Sequence, residues 1–182
     1  MIKKAIWPPD SEGIRRCLPV VPGAMLAGLL QQSPYGSTML LGLDPVLSPD
    51  LLHALAAMGH GDRIALVDAN YPGTRGRRVI YLPGLGTPSV LEAVLSVLPI
   101  DTFVPDPCAT MQVVGDPSAV PPVVAEMNAA LARRGARPAV IVERQAFYTA
   151  AESAYAVVQT GERRFYGNIL LTKGVIPPED RK

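Results

Sequence analysis

The stretch that decides the fold is "SPDLLHALAAMGHGDRIALVDANYP", residues 48–72. Ser48 supplies a helix N-cap, Pro49 the first helical position and Asp50 a negative charge in the first turn, with Gly59 expected to stop the helix. Leu51, Leu52, Leu55 and Met58 recur at helical spacing as a buried stripe, which leaves His53 on the solvated side. "RIALVD" (63–68) is apolar on both faces, the pattern of a strand inside a covered sheet. Packing accounts for all of this but not for the polar residues at the two ends of the strand: His60 before it, Asp68 and Asn70 after it.

Outward from this core the same punctuation repeats. "RVIYL" (78–82) predicts a second strand, and "TPSVLEAVLSVLP" (87–99) a helix with a Thr cap that runs to Pro99. "ATMQVVGD" (109–116) predicts a third strand, and a helix starting near Pro122 is stopped by Gly135. "AVIVE" (139–143), "YAVVQTG" (155–161) and "NILLTKG" (168–174) are strand-like, and "RQAFYTAAESA" (144–154) is helical. Alternating strands and helices predict an α/β fold: one compact domain over 39–182, with a parallel or mixed central sheet flanked by helices.

Residues 1–38 are set apart. Lys3, Lys4, Arg15 and Arg16 precede "CLPVVPGAMLAGLL", which loosely resembles a secretion signal, but Pro19 and Pro22 interrupt the apolar stretch. The segment is read as a poorly ordered extension, or as sequence ahead of a start at Met39.

Composition narrows the function classes. Across 182 residues, 17 Lys plus Arg face 16 Asp plus Glu, so nothing in the net charge of +1 calls for nucleic acid or an anionic membrane. No apolar run approaches the roughly 20 residues that span a bilayer. Two cysteines, Cys17 and Cys108, fit neither a disulfide framework nor a metal motif and suit a reducing, cytoplasmic setting. No cofactor or metal motif is found: "PGLGTP" (83–88) lacks the third glycine of GxGxxG and reads as a tight turn into a helix.

In an open α/β sheet ligands gather at strand carboxyl ends, where Asp68, Asn70 and Tyr71 fall. A turn capped by Asx side chains is the bland alternative. His60 follows a helix end, where an imidazole can exchange a proton near neutral pH, or can simply cap the helix. "TGERRFYGNILLTKG" (160–174) brings a phenol, Tyr166, and an amide, Asn168, to either side of Gly167, which lets the backbone approach a ligand. Its bland alternative is a hairpin-like loop in which Arg163 and Arg164 are solvated or interface charges.

Taken together, GHGD, DAN-aromatic-Pro, TGE and YGNI occur in an order that resembles the RbsD/FucU family of sugar-ring isomerases, from about Met39 to Pro177 and closest to its fucose-type branch. The resemblance implies a catalytic role for His60 and substrate-binding roles for Asp68, Arg144, Tyr166, Gly167 and Asn168. It also implies a monosaccharide substrate and a homo-oligomeric ring, commonly a decamer, with sites near subunit contacts. Asn70 stands where some fucose-type members carry His. The expected activity is acid/base opening and closing of a sugar ring that exchanges α and β anomers. His60 is the principal acid/base, Tyr166 a weaker partner or hydroxyl anchor, and Asp68 orients His60 or binds a hydroxyl. Pyranose–furanose interconversion of ribose, a non-catalytic sugar-binding module and, on "PGLG" alone, a nucleotide-binding protein are the competing readings. A strand of six residues would hold His60 and Asp68 roughly 20 Å apart, so the two meet on one sugar only if the chain curls back or copies share a site.

Overall fold

Helix α1 (Pro49–Ala57) begins where its cap predicts, Ser48 Oγ accepting the Leu51 N–H at 3.3 Å in the computed structural model, which describes residues 40–72 and 78–178. The expected extension over 1–38 lies outside the described residues, all of which belong to the unit Ser37–Lys182. The elements that follow are β1 (Arg63–Val67), β2 (Val79–Leu82), α2 (Thr87–Leu95), β3 (Cys108–Met111) and α3 (Pro122–Arg133). The chain then forms β4 (Val140–Val142), α4 (Arg144–Glu152), β5 (Ala156–Thr160) and β6 (Ile169–Thr172).

These strands form one six-stranded mixed sheet in the order β2-β5-β1-β6-β3-β4. β1, β2 and β5 are mutually parallel, β6 is antiparallel to both β1 and β3, and β4 is parallel to β3. Among the described strands, therefore, β6 runs against the other five. One edge of the sheet collects the carboxyl ends of β1, β2, β3, β4 and β5 together with the start of β6, and the opposite edge collects the reverse set.

The pleat divides the core. Ile64, Leu66, Val158, Ile169 and Leu171 face one side and pack with Leu51, Leu91, Val94, Met127 and Leu131 from α1, α2 and α3. Ala65, Val67, Val157 and Leu170 face the other, where Phe147 and Ala151 of α4 cover them. Each fully buried Leu, Ile or Phe contributes about 1.5–3 kcal/mol, so the two-sided burial of β1 makes it the anchor of the fold. β1 is apolar on both faces because both are covered.

Three local expectations are corrected, and one alternative is excluded. Helix α1 ends at Met58 in extended backbone rather than at a glycine stop. The Lys173 ammonium donates to the Leu55 and Met58 carbonyls at 2.7 and 2.6 Å and so takes the place of a glycine C-cap. Helix α2 is capped by Gly86, because the Thr87 hydroxyl is buried and bonded to Thr160 Oγ1 and the Gly167 carbonyl, and it ends at Leu95, short of Pro99. β3 stops at Met111, where Val113 folds back to bridge Asp116 with Gly115 at φ 84°. The tail is no hairpin, since β5 and β6 lie on opposite sides of β1 and the loop between them crosses its carboxyl end. That crossing is what brings Asn168 to Asp68.

Candidate functional site

Asp68 leaves β1 at the carboxyl edge and is 4% exposed. Its N–H donates to Asn168 Oδ1 at 2.9 Å, and Asn168 Nδ2 donates back to Asp68 Oδ2 at 2.8 Å. Asp68 Oδ1 accepts the Asn70 N–H at 2.9 Å, so the expected Asx turn is present as well. Burial pushes the Asp68 carboxyl above its ordinary value, the Asn70 N–H and the Asn168 amide pull it back down, and the Glu162 charge adds to the rise.

The backbone freedom expected of Gly167 falls at Tyr166, whose side chain still lines the same cavity as Asp68. The left-handed backbone is at Tyr166, with φ 66°, and the Tyr166 hydroxyl accepts the Val114 N–H at 3.2 Å. Gly167 is small for packing reasons: a Cβ there would stand 2.6 Å from Glu162 Cγ. Glu162, 6% exposed, accepts the Arg164 N–H at 3.0 Å, its Nε at 2.9 Å and its Nη2 at 2.8 Å, and Arg164 reaches Glu126 at 2.7 Å. The bonds from Arg164 hold the Glu162 carboxyl down at about 2. Arg164 is thus a structural cation, and TGE is the brace that presents Tyr166 and Asn168.

Arg144 is the first residue of α4, whose N-cap is Glu143 with its carboxylate accepting the Gln145 and Ala146 N–H groups at 2.7 and 3.0 Å. A cation in a helix's first turn opposes the helix dipole, and the Glu143 carboxylate offsets it. Asp68, Asn70, Arg144, Tyr166 and Asn168 line one cavity of about 330 Å³. Its apolar wall is Met111, Pro72, exposed Phe165 and the edge-to-face pair Tyr71–Tyr148, 5.5 Å apart at 67°. Met111, Tyr148 and Phe165 carry no signal in the sequence, because each comes from a different element and only the sheet order assembles them.

His60 lies elsewhere. It precedes β1, at the opposite edge, beside a second cavity of about 460 Å³ formed with Leu52, Val97, Lys173 and Ile176 among others. The side chain is 48% exposed, and its Nε2 stands 3.2 Å from the buried Asp101 Oδ2. The expectation that Asp68 orients His60 is therefore corrected: β1 holds the two apart, and Asp101 is the carboxylate that meets the ring. His53, on the outer face of α1, is bonded through Nδ1 to Arg78 at 2.7 Å.

A mixed α/β sheet that collects a buried Asp–Asn pair, an arginine and a phenol around a cavity this small defines a protein with a site for a small polar ligand. The chain belongs to the RbsD / FucU transport protein family, whose model matches residues 41–176. It is 46% identical over 145 residues to the fucose mutarotase of Homo sapiens, covering 75% of this chain and 94% of that protein. It is 44% identical over 142 residues to the L-fucose mutarotase of Actinobacillus pleuropneumoniae serotype 5b (strain L20), covering 76% and 99%. The crystal structure of the fucose mutarotase from Streptococcus pneumoniae in complex with L-fucose superimposes with a TM-score of 0.71 at 35% identity, covering 76% of this chain and all of that one (100%).

Proposed function

We propose that this chain is a sugar mutarotase, an isomerase that interconverts the α and β anomers of L-fucose or a closely similar aldose. The observation that carries the reading is the buried Asp68–Asn168 pair facing Arg144 and Tyr166 across one cavity, in a chain so similar to named fucose mutarotases. A neutral polyol needs directional donors and acceptors rather than a field. Asp68 has an unused lone pair on each oxygen, Asn168 keeps one amide hydrogen, and Arg144 brings a fork of donors. The Tyr71–Tyr148 wall suits the apolar face of a sugar ring.

Mutarotation requires one group to remove the anomeric hydroxyl proton while another protonates the ring oxygen, with both roles reversed on closure. His60 is the principal acid/base in this reading. Tyr166 accepts the Val114 N–H through its oxygen, which leaves the phenolic hydrogen to donate to the sugar. Because His60 leaves from the far edge of the sheet, it acts on a sugar held by another copy of the chain, in a homo-oligomer. Phe103 at 73% exposure and Ile176 at 58%, with Val104 and Val175, surround the His60 edge with the apolar surface such a contact buries. A cytoplasmic setting goes with this reading; no described helix is long and apolar enough to cross a membrane.

The test is saturation-transfer NMR on L-fucose. Irradiating one anomeric proton should diminish the other in the presence of the wild-type protein and not with His60→Gln. Full exchange by His60→Gln would remove the histidine from the mechanism, and no exchange by the wild type would end the reading.

A further inference from the structure

Two threonines meet behind the Asp68 cavity. Thr160 ends β5 on the face that Ala156 and Val158 turn toward α1, α2 and α3, whereas Met111, Tyr148 and Tyr166 of the cavity belong to the face covered by α4. Thr87 opens α2 directly opposite: the two side chains are buried and their hydroxyl oxygens stand 2.9 Å apart. Each hydroxyl also reaches a main-chain carbonyl, Thr160 Oγ1 donating to Val67 at 2.9 Å and Thr87 Oγ1 to Gly167 at 2.8 Å. The Glu162 N–H donates to Thr160 Oγ1 at 3.2 Å. Thr87 thus spends its hydroxyl outside its own helix, and α2 starts at Gly86 without a side-chain cap.

The choice of carbonyls is telling. A carbonyl and the N–H that follows it form one rigid planar unit. The Val67 carbonyl belongs to the peptide that carries the Asp68 N–H, and the Gly167 carbonyl to the peptide that leads into Asn168. These are the two residues that exchange the 2.9 and 2.8 Å bonds at the cavity. Gly167 is held from a second side as well, since a Cβ there would stand 2.6 Å from Glu162 Cγ. Packing alone calls for no hydroxyl at either position, because valine fills the same shape with no polar group to satisfy. We infer that the Thr87–Thr160 hydroxyl bridge positions the Asp68–Asn168 pair: it locks the peptide before Asp68 to the peptide before Asn168 and so fixes the geometry in which the pair offers its free lone pairs and amide hydrogen to the sugar. Neither threonine lines the cavity, so both act through the pair. This rests on the reading of Asp68 and Asn168 as groups that hold the sugar.

Two measurements on the full chain test it. In calorimetry with L-fucose, Thr87→Val keeps the shape of the side chain, removes the hydroxyl and should raise Kd about fivefold or more. Thr87→Ser keeps the hydroxyl and should stay within about twofold of wild type. In Asn168→Ala, where no pair is left to position, Thr87→Val should cost nothing further. A Thr87→Val protein that binds like wild type, a Thr87→Ser protein that loses as much as Thr87→Val, or an undiminished loss in Asn168→Ala overturns the bridge. Should Thr87→Val fail to fold, Thr160→Val breaks the same bridge from β5 and is held to the same results. The second measurement needs no sugar: with ¹⁵N-asparagine labelling and Asn168→Ala as the assignment control, the Asn168 side-chain amide should exchange with solvent faster in Thr87→Val than in wild type. Equal exchange overturns the bridge. Faster exchange together with a wild type that binds no L-fucose sustains the bridge and removes the function instead.

Discussion

Glu162 is a buried charge used for structure, and its titration gives it a measurable sign. Arg164 holds its carboxyl at about 2 against an ordinary 4.5, so the folded chain releases that proton more readily than the unfolded one. Its stabilising contribution is complete above 4.5 and is lost as pH falls toward about 2. Glu162→Gln should cost about 1–3 kcal/mol at neutral pH, with the gap to wild type closing through that acid window in denaturant titrations. Asp68 has the opposite sign: burial raises its carboxyl from 3.8, and the folded chain keeps that proton longer. Its ionised form costs stability as pH rises through that window, a cost that suits a residue kept for a ligand. Asp68→Ala should weaken L-fucose binding by about 1–3 kcal/mol, read by calorimetry. Of the residues around the two cavities, His60, Asp68, Arg144, Tyr166 and Asn168 were legible through motif order. Asp101 was not, because it stands 41 residues from His60 and no local spacing joins them.

Elements follow the sequence where local chemistry governs and depart from it where a distant group intervenes. Ser48 starts α1 as its side chain requires, while its end is set by Lys173, more than a hundred residues away. Thr87 has the chemistry of a cap, and Thr160 and Gly167 claim its hydroxyl instead. The periodic signal located every described strand and helix, but not the order in which the strands pair. The loop leaving β5 therefore left a hairpin-like alternative open, whereas it crosses β1. At this scale the sharpest test is Gly174, whose Cβ would meet main-chain atoms that cannot give way. Gly174→Ala should cost about 1–3 kcal/mol in chemical unfolding. Gly84→Ala, where nothing stands within 4 Å, should change stability by less than about 0.5 kcal/mol.

For the molecule as a whole, the sheet poses a problem that the proposed homo-oligomer would answer. β1 has five residues, so His60 and Asp68 stand at the ends of a strand about 17 Å long, too far apart for one monosaccharide to touch both. Their separation could not be read from motif order, which lists residues without saying which edge each reaches. Sites composed of His60 from one copy and the Asp68 pocket from another predict complementation between two inactive variants. His60→Gln and Asp68→Ala, each silent by itself, are to be unfolded together, refolded as a mixture and assayed by saturation transfer on L-fucose. Random mixing should restore about a quarter of the wild-type exchange rate, because that fraction of sites receives both intact halves. A mixture no more active than either variant would contradict the shared site.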